Sequence, residues 1–308
     1  MAVQSTAQTD VMEPLIDREL AIMRKRRAVL ARVPGAGFLV ERALDDLGDR
    51  LATVNRRFAS AAAIHCGAEE ASTALRATGK ADQVLRIDDE ALVAEGAKDA
   101  VPASGETLPL ALGSVDLAVS IYGLHEMNDL PGMLIQIRRA LRPDGLFIGC
   151  MAGAGTLTEL RQSLLAAETS LRGGASPRVM PFADVRDAGA LLQRAGFALP
   201  VTDVDEVTVR YDTMFDLMQD LRAMGAASSL VQRSRVPATR ALFAEAARIY
   251  AERFSDPDGR IRASYSTLWL SGWAPDPSQQ KPMKPGSAKM SLSEALSAIP
   301  GGSKAEQK

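Results

Sequence analysis

Residues 114–156 read SVDLAVSIYGLHEMNDLPGMLIQIRRALRPDGLFIGCMAGAGT. Two apolar runs of strand length, Val115 to Ile121 and Leu146 to Met151, are each bounded by turn residues. Between them Met133, Leu134, Ile137 and Leu141 recur at helical spacing, with Arg138, Arg139 and Arg142 on the other side. A strand, a helix and a strand of this length form a parallel βαβ unit, because parallel neighbours need a crossover to carry the chain back. Ligands of such sheets bind beyond the carboxyl ends of the strands, which directs attention to Tyr122 to Asn128.

Upstream, Ala59 to Ile64 reads as the first core strand, and Gln83 to Ile87 as a second that ends at Asp88-Asp89. Downstream, Thr156 to Glu159 has the pattern of a capping box opening a helix on Leu157, Leu160, Leu164, Ala167 and Leu171. Asp184 to Ala195 is an amphipathic helix closed by Gly196. Phe197 to Tyr211 alternates like an outer antiparallel strand, and Ala263 to Trp273 supplies another strand. Between those two, Asp212 to Met224 predicts a helix on Phe215, Met218 and Leu221, and Pro237 to Phe254 a further one.

At the amino end, Leu15 to Val33 predicts a helix with Leu15, Leu20, Met23 and Leu30 as its apolar side and Arg24 to Arg27 exposed. That basic run is either a solvated face or a contact for an acidic partner or an anionic membrane surface. The expected organisation is a leader without order over 1–14, amino-terminal helices over 15–58, and a main α/β domain over 59–274. Residues 212–254 form an inserted helical cover within it, and 275–308 an extended Pro-, Lys- and Ser-rich tail.

Composition narrows the function. With 308 residues and 46% apolar content the chain can bury a sizeable core, and a net charge of −2 gives no general attraction to nucleic acid. No apolar run reaches membrane-span length, and the first dozen residues lack a secretory pattern, so a cytoplasmic protein is expected. The two cysteines, Cys66 and Cys150, read as reduced core thiols. No His/Asp/Glu cluster has clear metal-ligand spacing, so no metal is expected.

The segment after the third of these strands resembles class I S-adenosylmethionine-dependent methyltransferases, where a D-L-x-x-S strand is followed by L-H and a helix ending L-x-P-D-G. At closer range, LHEMNDLPGMLIQIRRALRPDGLFIG is similar to the methyltransferase-like assembly factors of respiratory complex I, in their bacterial form. So are GTLTELRQSLLAAE, GGASPRVMPFADVRDAGALLQRAGFALPVTDVDEVTVRYD, SGWAPDPSQQKPMKPGSA and LIDRELAIMRKRRA, which together cover nearly the whole chain. The resemblance implies a Rossmann-like, doubly wound, mostly parallel seven-stranded sheet. It also implies S-adenosylmethionine as cofactor and a peripheral-arm subunit of complex I as partner, with arginine hydroxylation of an iron–sulfur subunit as the assigned activity.

Carried onto this chain, the cofactor positions are His65, Cys66, Gly67, Asp88, Asp89, Ser104, Glu106, Leu124 and His125. Several depart from the methyltransferase pattern. In D/E-x-G-x-G-x-G the acid is Ala63, the outer glycines are His65 and Glu69, and only Gly67 is kept. Ser104 stands where an Asp usually meets the adenine amino group. Asp88 sits where the family places a ribose-binding acid; a helix cap for the residues after it is the equal alternative. These departures predict weak or absent cofactor binding.

The catalytic candidates are His125, Arg172 and Arg178. His125 is either a structural histidine or a site residue. The two arginines around the Gly173-Gly174 turn either clamp a carboxylate or belong to a solvated loop. Three functions follow from the whole reading. They are a complex I assembly factor, an active methyltransferase on a small molecule or carrier-bound acid, and a non-catalytic pseudoenzyme that kept the fold as a binding or chaperone surface.

Overall fold

Strand β4, Val115–Ile121, is buried along its whole length, as befits the central strand of a parallel sheet covered on both faces. It pairs in parallel with β1 (Phe58–Ile64) on one side and β5 (Leu141–Ala152) on the other. The sheet extends through β2 (Ala81–Asp89) and β3 (Ala100–Ala103) at one edge and through β7 (Ile261–Trp273) and β6 (Ala198–Tyr211) at the other. The order β3-β2-β1-β4-β5-β7-β6, with β7 alone antiparallel to both its neighbours, is seen in this computed structural model, which describes residues 13–93 and 97–280. The chain reverses its winding direction between β1 and β4, so a ligand-binding crevice belongs beyond their carboxyl ends.

Helices cover both faces. Helix α4 (Leu130–Ala140) buries Met133, Leu134 and Ile137 with α6 (Val185–Ala195) on one side, around Phe147, Leu192 and Leu270. Helices α2 (Phe38–Thr53) and α3 (Glu70–Ala77) pack on the other, around Leu47, Leu51, Leu75 and Trp269. Helices α5 (Thr158–Arg172), α7 (Met214–Ala223) and α8 (Arg240–Phe254) build a third cluster from Leu164, Leu217, Leu242 and Tyr250. Residues 276–308 form a separate unit. In its described start, Ser278 donates its hydroxyl to the Asp276 carboxylate at 2.6 Å. The expected leader lies mostly, and the tail largely, outside the described residues.

Three local expectations are corrected. Thr156 does not cap α5: its Oγ1 exchanges hydrogen bonds with the backbone of Ser266, and Leu157 at φ +54° precedes the helix. Glu159, the supposed capping-box acid, instead accepts from the Ser264 N–H and hydroxyl, tying α5 to β7. Helix α7 buries Met214, Leu217 and Leu221 and leaves Phe215 46% exposed, because the Thr213/Asp216 capping box sets its start and α5 and α8 select the buried face.

The largest correction concerns α1 (Arg18–Ala31). Leu15, Met23 and Leu30 are 45%, 40% and 71% exposed, while Arg18, Arg24 and Lys25 turn toward the body. Asp17 caps the helix by accepting from the Leu20 N–H, and Arg24 donates to the carbonyls of Ala227 and Ser228. A helix whose inner face is cationic is stable only where carboxylates and carbonyls meet it. The ends of β2 and β4 provide the carboxylates Asp89 and Glu126, and the loop after α7 the carbonyls of Ala227 and Ser228.

Candidate functional site

Strand β1 runs into the loop Ile64-His65-Cys66-Gly67, and its neighbour β2 ends at Asp88-Asp89. The His65 N–H donates to the Ile87 carbonyl at 2.7 Å, so the ladder continues one residue past the strand and aligns the His65 loop with the two acids. His65 has φ +49° and Gly67 +77°, the left-handed region for which the glycine-rich pattern exists. Across the crevice, β4 leads into Tyr122-Gly123 and a short 3-10 turn, Leu124–Glu126. Gly123 is required by contact: a Cβ there would lie 1.9 Å from the His65 carbonyl oxygen.

Helix α1 lies over these strand ends. Arg18 Nη2 donates to Asp89 Oδ1 at 2.8 Å, and its Nη1 reaches the Glu126 carbonyl at 3.3 Å. Lys25 Nζ pairs with Glu126 at 2.7 Å. Ile16 just before the helix exchanges two hydrogen bonds with the Asn128 side chain, which therefore anchors the amino-terminal segment and leaves Asp129 to cap α4. On the other flank the Asp17 N–H donates to Ser229 O, and Arg233 pairs with Asp17.

The enclosed charges respond to one another. Burial acts to lower the pKa of Lys25, but Glu126 and the nearby Asp88 and Asp89 hold it above its ordinary value. Burial likewise acts to raise Asp89 and Glu126, and both end below the usual carboxylate range because His65 and Arg18 face the first and Lys25 the second. Asp88, 1% exposed, goes the other way: desolvation raises it despite its contact with Arg86 at 3.1 Å.

Between α1 and the sheet a cavity of about 10 Å³ remains, lined by Arg18, Ile22, Lys25, His65, Asp88 and Glu126. Sites for cofactor-sized ligands span roughly 300–1,000 Å³. The space is bounded by α1 on one side and by the His65 loop and the ends of β2 and β4 on the other.

The other sequence-marked residues divide. Cys66 accepts the Ile121 N–H at 3.4 Å and its thiol is pushed up to about 12 by burial, which makes it a structural thiol; both cysteines are free. Glu106 accepts the N–H groups of Asn128 and Asp129, both at 2.6 Å, and so shapes the turn before α4. Ser104 is exposed and Leu124 fully buried. His125 lies edge-on to Tyr122 and Phe182, 6.3 and 6.0 Å between ring centres, and desolvation lowers its pKa to about 4.

Arg172 and Arg178 do clamp a carboxylate, but it is this chain's own. Glu168 is 2% exposed and accepts from Arg178 at 2.7 and 3.1 Å, from Arg172 at 3.3 Å and from the Ser176 N–H at 3.0 Å. Glu168 stands outside the apolar stripe of α5, so periodicity alone does not mark it as buried. Nor does it mark Arg18 and Lys25, whose signal is only a basic run in an amphipathic segment.

The chain is 38% identical to human "Arginine-hydroxylase NDUFAF5, mitochondrial" over 291 residues, 91% of this chain and 83% of the human protein. It belongs to the NDUFAF5 family. The rat relative is 39% identical over 287 residues, 90% of this chain and 82% of that protein. Residues 63–149 match the model described as a methyltransferase domain. A malonyl-[acyl-carrier protein] O-methyltransferase of Xylella fastidiosa is 32% identical over 241 residues, 75% of this chain and 77% of that enzyme. Among solved structures, YcgJ of Bacillus subtilis aligns at a TM-score of 0.51 with 14% identity, covering 75% of this chain and 98% of YcgJ, a likeness of fold alone. This member of the family thus carries a class I methyltransferase fold. Among the described residues no helix is long and apolar enough to cross a membrane.

Proposed function

We propose that this chain is a cytoplasmic assembly factor of respiratory complex I that acts on an arginine of an iron–sulfur subunit of the peripheral arm. The observation that carries this reading is the 38% identity to the relative named arginine hydroxylase, which runs through 91% of the chain. A methyltransferase reading draws on the 32% identity to the malonyl-carrier methyltransferase, but methyl transfer needs the sulfonium aligned beside its acceptor. The crevice closed by α1, with Ala63, His65, Glu69 and Ser104 at the positions of cofactor contacts, weighs against it.

On this reading S-adenosylmethionine binding is weak while α1 is docked. Deletion of the gene in its source organism tests the assignment. Complex I activity and the peripheral-arm assembly intermediate are followed on native gels, and the iron–sulfur subunits are mapped by peptide mass spectrometry. A peripheral arm that accumulates incomplete and has lost 16 Da from one arginine peptide is the expected result. Normal assembly with unchanged arginine peptides refutes it.

A further inference from the structure

The crevice contains a group that neither the fold nor the ion pairs of α1 explain. His65 is 2% exposed, and among the described residues neither of its ring nitrogens has a hydrogen-bond partner. Buried imidazoles are almost always partnered, because desolvating both nitrogens without replacement is unfavourable. Asp89 Oδ2 lies 3.6 Å from Nδ1, which is too long for a hydrogen bond. Two ligands each about 2.1 Å from one metal ion, at a roughly tetrahedral angle, lie about 3.4 Å apart.

We propose that His65, Asp88 and Asp89 form a binding site for a divalent transition-metal cation, reached when Arg18 releases Asp89. Each of the three side chains offers one ligand atom, and these atoms all lie within 4.8 Å of one another. Arg18 holds only Oδ1 of Asp89, so Oδ2 is left facing the imidazole. Arg86 holds Oδ2 of Asp88, fixing that carboxylate while its Oδ1 meets only the Asp89 N–H at 3.3 Å. One imidazole with two carboxylates suits Mn²⁺, Fe²⁺ or Zn²⁺ and disfavours soft ions such as Cu⁺.

Charge gives the gating. With α1 docked, Arg18 and Lys25 face Asp89, Glu106 and Glu126, and Arg86 faces Asp88. Arg18 and Lys25 belong to α1. Undocking it leaves those four carboxylates against Arg86 alone, a net charge of −3, and a divalent ion offsets two of the uncompensated charges. The unusual backbone of His65, φ +49° at a position where the fold ordinarily has glycine, fits a side chain kept for what it binds. The inference concerns binding alone and does not depend on the acceptor proposed above.

The test uses the full chain, stripped with chelator and titrated with Mn²⁺, reading free Mn²⁺ by electron paramagnetic resonance. The expected result is one ion per chain, with Arg18→Gln tightening binding about tenfold. His65→Ala and Asp89→Asn should each weaken it at least tenfold. Because either of these last two could unfold the chain, Arg18→Gln is also examined by electron spin-echo modulation, which reports an imidazole nitrogen on Mn²⁺ without altering any ligand. Absence of a stoichiometric ion in both the unmodified protein and Arg18→Gln overturns the proposal. So does a bound ion without nitrogen modulation, or one that a folded His65→Ala variant binds equally well.

Discussion

Replacing Arg18 and Lys25 together by alanine should open the crevice. The Arg18–Asp89 contact is 2.8 Å with side chains 16% and 13% exposed, and Lys25–Glu126 is 2.7 Å with 20% and 15%. Undocking rehydrates all four groups, so each pair contributes only the net value of an ordinary hydrogen bond exchanged with water, about 1–1.5 kcal/mol, or roughly 2–3 kcal/mol for the two. A ligand that needs the open form binds more weakly by the fraction of time that form is populated, and about 1.4 kcal/mol is one factor of ten. On that basis the docked helix should weaken S-adenosylmethionine binding by about 30- to 140-fold.

Calorimetric titration of the unmodified chain, of Arg18→Ala/Lys25→Ala, and of that variant with His65→Gly and Glu69→Gly added should give three affinities of rising strength. The first gain should fall near that factor, and circular-dichroism melts establish that each variant is folded. Equal affinity in the unmodified chain and the Arg18/Lys25 variant would refute the gating role of α1. Binding that appears only with the two glycines would place the whole obstruction in the loop.

Three further outcomes follow from the packing. Gly123→Ala forces a Cβ onto the His65 carbonyl at 1.9 Å, so backbone must move; urea unfolding should show a loss of about 1–3 kcal/mol or more, and an unchanged midpoint would contradict the contact. Glu168→Ala leaves Arg178 and Arg172 without their carboxylate and should cost about 2–3 kcal/mol in the same assay, a loss of the kind seen when one partner of a largely buried pair is removed. His125, ordinarily near 6.5 and lowered here to about 4 by burial, is neutral in the folded chain and protonates more readily when unfolded. Its contribution is complete above about pH 6.5 and lost as pH falls toward 4, so His125→Phe should flatten the decline of melting temperature across that window.

Much of the fold is legible because it rests on local periodicity. The run Val115–Ile121, apolar except for Asp116 and Ser120, belongs to a strand covered on both faces, and the alternation in 198–211 to an edge strand with one face open. Even β3 needed its neighbour, since Ala100–Ala103 carries little strand signal and is held by pairing with Arg86 to Asp89. The departures at Ala63, His65, Glu69 and Ser104 were likewise visible, since glycine and acid positions are read one residue at a time.

What the sequence determined by itself, then, is the order of strands and helices, the family resemblance and the loop with its glycines replaced. Tertiary structure decided which charges meet. Helix α1 carries apolar Leu20, Met23 and Leu30, yet it docks through Arg18, Arg24 and Lys25 because Asp89 and Glu126 lie at the strand ends beneath it and the carbonyls of Ala227 and Ser228 meet it from the loop after α7. Glu168 is buried because two arginines beyond a glycine turn fold back on it, and His65 meets Asp88 and Asp89 because β1 and β2 run side by side in register. Periodicity states which side of a helix is apolar. The partner across the crevice decides which side is buried, because a charge gains from burial only against an opposite charge that the rest of the chain must deliver.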